Sequence, residues 1–281
     1  MSGEKLDDAL VRTLVEYRDG NFCVLTGAGI SAESGIPTFR GTEGYWTLGS
    51  RNYMPEEMAT ESMFRTLPEE VWRWYLYRFG ICQKFEPNAA HWALSSLEST
   101  LEARFALVTQ NIDGLHRRAG SSLERTYCIH GDAAFVRCAG SCGVGLLPLP
   151  DLGLRDAQTA LSERDIQALH CPQCGDWLRP HVLWFDEYYD EPLYRAESAL
   201  RAAARSDVLL VIGTSGATNL PSQIGELCLR QGSVIIDVNP EPNPFTNLAQ
   251  RARRGHFAQG AASKMVPAIV SVLRGEGGNG A

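Results

Sequence analysis

Short apolar runs separated by amphipathic stretches set the first expectation. Residues 22–26, 105–109, 208–212 and 234–238 are five-residue runs, largely aliphatic or β-branched. They are too short for helices and lack polar alternation, which suits strands buried on both faces. Stretches 6–19, 191–205 and 221–231 carry helical spacing. Strands alternating with helices predict an α/β fold, a Rossmann-like parallel sheet covered on both sides. The residues that follow the runs are small or polar: Gly27-Ala28-Gly29, Gln110-Asn111-Ile112-Asp113, Gly213-Thr214-Ser215 and Asn239-Pro240-Glu241. Such sheets bind ligands beyond the carboxyl ends of their strands, so these four segments are the first candidates for a nucleotide crevice.

Composition narrows the class. At 281 residues, with 44% hydrophobic and 21% charged positions, the chain is long and apolar enough for one large domain or a core domain with a smaller companion. A net charge of -7 argues against a phosphate-backbone binder. The cluster Arg251, Arg253, Arg254 reads as a solvated face. The longest apolar run, 208–212, falls far short of the roughly 20 residues of a membrane span. Residues 1–10 have no apolar signal-peptide core, and the expectation is a soluble, cytoplasmic protein. There, paired cysteines are better metal ligands than disulfides.

Candidate chemistry sits in four places. A glycine turn, Gly27-Ala-Gly-Ile-Ser31, follows the first run and suits close approach of a pyrophosphate or simply a tight turn. Cys138, Cys142, Cys171 and Cys174 form two close pairs 28 residues apart. Two such knuckles close a tetrahedral thiolate site with no open position, which predicts one structural zinc. Residues 131–179 then form a small module inserted between nucleotide-domain segments 20–130 and 180–270, with 275–281 as a frayed tail. Cys23, Cys82, Cys128 and Cys228 read as buried small hydrophobes. Gln110, Asn111 and Asp113 suit ribose or carboxamide recognition, or equally a helix N-cap. His130, before Gly131, is either a general base or a turn residue.

Taken together, these stretches resemble the sirtuins, the NAD-dependent protein lysine deacylases. The resemblance is carried by 27–41 (GAGISAESGIPTFRG), Gln110–Asp113, His130-Gly131, the four cysteines, Arg179-Pro-His-Val-Leu-Trp-Phe185, Gly213-Thr-Ser215 and Asn239-Pro-Glu241. It implies a single catalytic unit over 1–281, with an acylated lysine of a protein or peptide in the cleft between the two parts. The acyl oxygen would attack the nicotinamide ribose, His130 would act as base with Asn111 beside it, and O-acyl-ADP-ribose would leave. It further assigns Gly27, Ala28, Gly29, Phe39, Arg40, Gln110, Asn111, Asp113, Gly213, Thr214, Ser215, Asn239 and Glu241 to the cofactor. Ala262, in an adenine-side loop over 260–267, joins them, and Leu183 and Phe185 are assigned to the substrate. Tyr75 and Arg78, three apart on one helix face, match the Tyr-x-x-Arg pair of sirtuins that remove succinyl, malonyl or glutaryl groups. Plain deacetylation, ADP-ribosyl transfer and a non-catalytic NAD-sensing module are the alternatives. The sequence departs from that pattern at Thr42, Cys128 and Asp186 and at 216–219. Oligomeric state is not legible.

Overall fold

The computed structural model describes residues 6–36, 46–48, 51–153 and 155–276, with backbone alone for 46–48 and 51. Six strands make one parallel sheet in the order Gly255–Gln259, Val234–Asn239, Val208–Ile212, Phe22–Thr26, Phe105–Thr109, Thr126–Cys128. In chain order this is the doubly wound 3-2-1-4-5-6 arrangement, with its switch point between Phe22–Thr26 and Val208–Ile212. Every residue of those two strands is buried. Their apolar runs reflect cores on both faces, one under the helix Ala262–Leu273 and one under Asn219–Gln231.

Three of the four expected strands match residue for residue, and the fourth extends one residue to Asn239. Two further strands of this parallel sheet were not anticipated. Thr126–Cys128 has three residues, and Gly255–Gln259 is a half-exposed edge strand without a continuous apolar run. The helix expected over 191–205 is two helices, Glu191–Tyr194 and Ala196–Ala203, broken at Arg195 with φ 51°. The Arg195 guanidinium donates to the carbonyls of Leu123, Glu124 and Thr126 at 3.0–3.2 Å and lies over the Tyr127 ring. It thus ties the edge strand down from a position that continuous helix would not supply. The stretch read as 6–19 is helical over Asp8–Tyr17, and that read as 221–231 begins at Asn219. Residues 260–267, read as a loop, enter the helix Ala262–Leu273 despite Pro267. Its apolar face, Met265, Val266, Ile269 and Val270, packs in the sheet's core.

A third core belongs to neither face of the sheet. Strands Leu146–Pro148, Gly131–Cys138 and Leu178–Val182 form an antiparallel sheet. Met58, Phe64, Trp72, Trp74, Tyr75 and Phe79 pack with Val136, Cys138, Leu169, Cys171, Leu178 and Trp184. The Trp72 indole donates to the Leu178 carbonyl at 2.8 Å. Reading 20–130 as one nucleotide-domain segment therefore needs correction: helices Pro55–Met58, Glu61–Thr66 and Pro68–Gln83 share their core with the cysteine module. That module also extends beyond 179 to Val182.

Candidate active site

The glycine turn and the Gly213 turn meet backbone to backbone. A Cβ on Gly27 would lie 2.7 Å from the Thr214 Cβ, and one on Gly29 would lie 2.7 Å from the Gly213 Cα. Gly213 itself has φ 62°, and its Cβ would strike the Ile30 nitrogen. The three glycines thus let two strand ends converge at the switch point. Only one helical turn, Gly29–Ala32, follows, and the Gly29 amide already donates to the Gly213 carbonyl. Phe39, Arg40 and Thr42 lie outside the described residues.

Across this turn the Gln110–Asp113 segment is held by its side chains. Gln110 donates to the Thr214 hydroxyl at 2.8 Å and to the Thr26 carbonyl, and its Oε1 accepts from Thr218. The Asn111 amide donates to the Gly27 carbonyl at 3.1 Å and to Ser31 Oγ at 3.2 Å, which turns its Oδ1 away as an acceptor. Asp113 accepts from Ser31 Oγ at 2.7 Å and from the Leu115 amide at 2.9 Å. Burial raises its pKa, against the lowering by these two bonds. Ser31 is therefore the joint between the two loops, with His91 at 3.4 Å behind it. Its hydroxyl went unassigned in the sequence, because serine in a glycine turn carries no pattern of its own.

Behind these loops His116 Nε2 meets Thr26 Oγ1 at 3.0 Å, and Thr26 donates onward to Thr109. His116 Nδ1, Ser121 Oγ and Thr126 Oγ1 are buried without a protein partner and face a cavity of about 20 Å³. That volume takes one water molecule.

His130 stands at the strand ends. Its Nδ1 lies 3.0 Å from the Gln110 carbonyl and its Nε2 2.8 Å from Tyr189 Oη. A carbonyl only accepts, so Nδ1 carries the proton and Nε2 presents its lone pair. Burial lowers the pKa to about 4, against the pull of the Gln110 carbonyl, so the ring is neutral at physiological pH.

The segment after strand Leu178–Val182 is fastened almost residue by residue. The Leu183 amide donates to the His130 carbonyl at 2.9 Å, and the Phe185 amide to the Ala59 carbonyl at 3.0 Å. The Trp184 amide donates to Glu187, whose carboxylate is gripped by Arg179 and Arg137. Phe185 leaves its ring 61% exposed beside this strip. Asp186, one of the departures from the resembled pattern, points its carboxylate at the Glu61 and Ser62 amides, 2.8 and 3.2 Å away. It caps the helix Glu61–Thr66. Asp186→Ala is expected to cost about 1 kcal/mol and lower the melting temperature by about 2–4 °C. A calorimetric scan checks this.

Other assigned residues fall into two groups. Thr214 is buried with its hydroxyl oxygen accepting from Gln110, whereas Ser215, Glu241 and Ala28 are at least partly exposed. Asn239 is buried and donates to Asp237 at 2.5 Å, and the Gly260 amide donates to the Asn239 carbonyl. Ala262, buried, opens the neighbouring helix. In the third core the Tyr75 hydroxyl accepts from the Trp184 indole at 2.8 Å. Arg78 is partly buried, its guanidinium 5.4 Å from the Trp74 ring centroid. Cys23 and Cys228 are fully buried, Cys82 and Cys128 partly. Burial pushes the Cys128 thiol up to about 12, so the residue two before His130 is neutral.

The remaining four cysteines converge. Their Sγ atoms lie within 4.8 Å of one another, with Cys138–Cys174 at 3.4 Å and Cys142–Cys171 at 3.5 Å. Four soft thiolates at this spacing fit one tetrahedral zinc, and no fifth ligand position is implied.

A doubly wound nucleotide-type sheet, a buried neutral histidine at its strand ends and a four-cysteine module define a class of nucleotide-using α/β proteins. A model of the Sir2 family matches residues 27–219. A Thermus thermophilus NAD-dependent protein deacylase is 39% identical over 267 residues, covering 94% of this chain and 95% of that protein. One from Leptospira interrogans is 36% identical over 260 residues, covering 92% and 95%. The solved structure of a Sir2 homologue in complex with NAD superposes with a TM-score of 0.78 at 33% identity, covering 98% of this chain and 97% of that one. The chain belongs to the Sir2 family. Among the described residues no helix is long and apolar enough to cross a membrane.

Proposed function

We propose that the chain is an NAD-dependent protein lysine deacylase that transfers the acyl group to ADP-ribose, releases nicotinamide and favours short acidic acyl groups. The observation that carries the reading is the state of His130. Fixed through Nδ1 on the Gln110 carbonyl, it offers a neutral Nε2 at the carboxyl ends of the parallel strands, as a base for ribose hydroxyls requires. Bound NAD supplies the ribose carbon that the acyl oxygen attacks. Asn111 Oδ1 and the Asp113 carboxylate line the same loop and suit the hydroxyls and carboxamide of the nicotinamide riboside. Ser215, Asn239 and Glu241 suit the phosphates and the adenosine ribose, and the fastened strip with Leu183 and Phe185 suits an extended peptide carrying the acyl-lysine.

The acyl preference rests on Tyr75 and Arg78. Because the Tyr75 oxygen accepts from Trp184, its own proton is left to donate, and burial raises its pKa so that it remains a phenol. Burial lowers the pKa of Arg78, but a guanidinium stays cationic. A partly desolvated cation beside a phenol donor suits a carboxylate of matching size. Matched acetyl-lysine and succinyl-lysine peptides, with Arg78→Met alongside, test this. Wild type is expected to prefer succinyl, and Arg78→Met to lose at least about tenfold of that preference while keeping deacetylation. Acetyl-only turnover that Arg78→Met leaves untouched would sink the preference.

A further inference from the structure

Tyr189 lies 59 residues from His130 in sequence, yet its hydroxyl sits 2.8 Å from His130 Nε2 with the rings 5.8 Å apart. The contact is constrained from both sides. Tyr189 falls between Glu187, gripped by Arg137 and Arg179, and Asp190, which caps the helix Glu191–Tyr194 by accepting from the Leu193 amide. The backbone is thereby pinned, and the phenol oxygen also meets the Thr218 hydroxyl, so leaving Nε2 requires rotation about the Tyr189 side-chain torsions alone. Burial keeps that phenol protonated, so the hydrogen in the contact belongs to Tyr189.

A neutral imidazole with Nδ1–H has one lone pair, on Nε2, and that lone pair accepts one strong hydrogen bond. The phenol and a ribose hydroxyl therefore compete for the same acceptor. We infer that Tyr189 caps the base in the free protein and must be displaced from Nε2 by a hydroxyl of the nicotinamide-side ribose. This rests on the reading of His130 as the base. The cap keeps the lone pair satisfied in a buried site and sets a small, fixed cost on nucleotide entry. Tyr189 is then a positioning residue that acts on the ligand-free state and takes no part in the chemical step.

The test compares wild type with Tyr189→Phe, using calorimetric titration with ADP-ribose, which carries the ribose hydroxyls but cannot turn over. Removing the cap is expected to tighten ADP-ribose by roughly two- to tenfold, the range of a single neutral hydrogen bond, and to lower the KM for NAD in parallel. The kcat should stay within about twofold of wild type, because the displaced phenol is absent from the reacting complex. In a His130→Ala background, the same Tyr189→Phe change should leave ADP-ribose affinity unaltered, since the competition is gone. Unchanged affinity in the single variant overturns the cap. So does a tenfold loss of kcat at constant affinity, which would make Tyr189 a participant. A structure of the ADP-ribose complex decides independently of any variant: the phenol must have left Nε2 for a ribose hydroxyl, and a retained contact overturns the proposal. If His130→Ala turned over normally, the base reading would fail, while the competition seen by ADP-ribose would still report on the cap.

Discussion

Stripping the four-cysteine site with a strong chelator is expected to unfold the small domain and abolish turnover, leaving the parallel sheet folded. The reason lies in how the module is built. Residues 138–177 contribute the two cysteine knuckles, one short strand and one short helix, Glu163–Ala168, and little regular structure besides. Cys138 and Cys171 are buried among Trp72, Val136 and Leu169, so losing the ion removes the bonds that hold the two knuckles together against this core. Structural zinc in small domains contributes about 10–16 kcal/mol of apparent binding free energy near neutral pH. That exceeds the whole stability of most domains. Damage would reach the active site along the chain, because strand Leu178–Val182 runs straight into the Leu183–Glu187 strip. Metal analysis should give one zinc per chain. On chelation, near-ultraviolet dichroism from Trp72, Trp74, Trp177 and Trp184 should collapse while parallel-sheet signal persists. Full activity after stoichiometric removal of the ion would contradict this account of the module.

His130→Ala should reduce kcat by about 10²–10⁴ while ADP-ribose still binds, since a general base in the transition state supplies that much. The acidic limb of wild-type kcat/KM should fall below about pH 5.5. The sign follows from the depressed pKa: the base is neutral above about 4, so activity is lost only as pH drops through that value, not through the ordinary 6.5. A limb centred near 6.5 would mean that the ring is more hydrated in the free protein than its burial implies.

The sheet was legible because both of its faces are buried. Full burial removes alternation, and Phe22–Thr26 and Val208–Ile212 therefore read as uninterrupted apolar runs with clean ends. Gly255–Gln259, at the edge, carries His256 and Gln259 and gives no such signal. The break at Arg195 was hidden for a different reason. The residues around it, Glu191 to Ala203, have good helical character, and only the carbonyls of Leu123, Glu124 and Thr126 hold Arg195 in a left-handed turn. Helix Pro68–Gln83 was anticipated locally, but its Trp72 and Trp74 do not announce which core they enter.

The candidate site shows the same division. Gly27, Asn111 and Gly213 could be named from the sequence because their strand ends were visible, whereas His130 was named from its His-Gly motif, since the short strand Thr126–Cys128 before it gave no signal. What holds them could not. Ser31 reaches Asn111 across 80 residues of chain and Asp113 across 82, Trp184 reaches Tyr75 across 109, and Tyr189 reaches His130 across 59. Each is a side chain whose role depends on a contact created by the tertiary fold. Thr214, assigned to the cofactor, has a tertiary partner that the sequence did not announce: its oxygen accepts from the Gln110 amide, which leaves its own proton to donate.

The central claim is that this chain couples deacylation of lysine to NAD cleavage. Mass spectrometry of products from wild-type protein, NAD and a succinyl-lysine or acetyl-lysine peptide tests it most directly. The account predicts nicotinamide, deacylated peptide and O-acyl-ADP-ribose in equal amounts, with negligible nicotinamide release when unmodified peptide is supplied. Nicotinamide release that leaves the acyl group on the peptide, with ADP-ribose free or attached to protein, would contradict it.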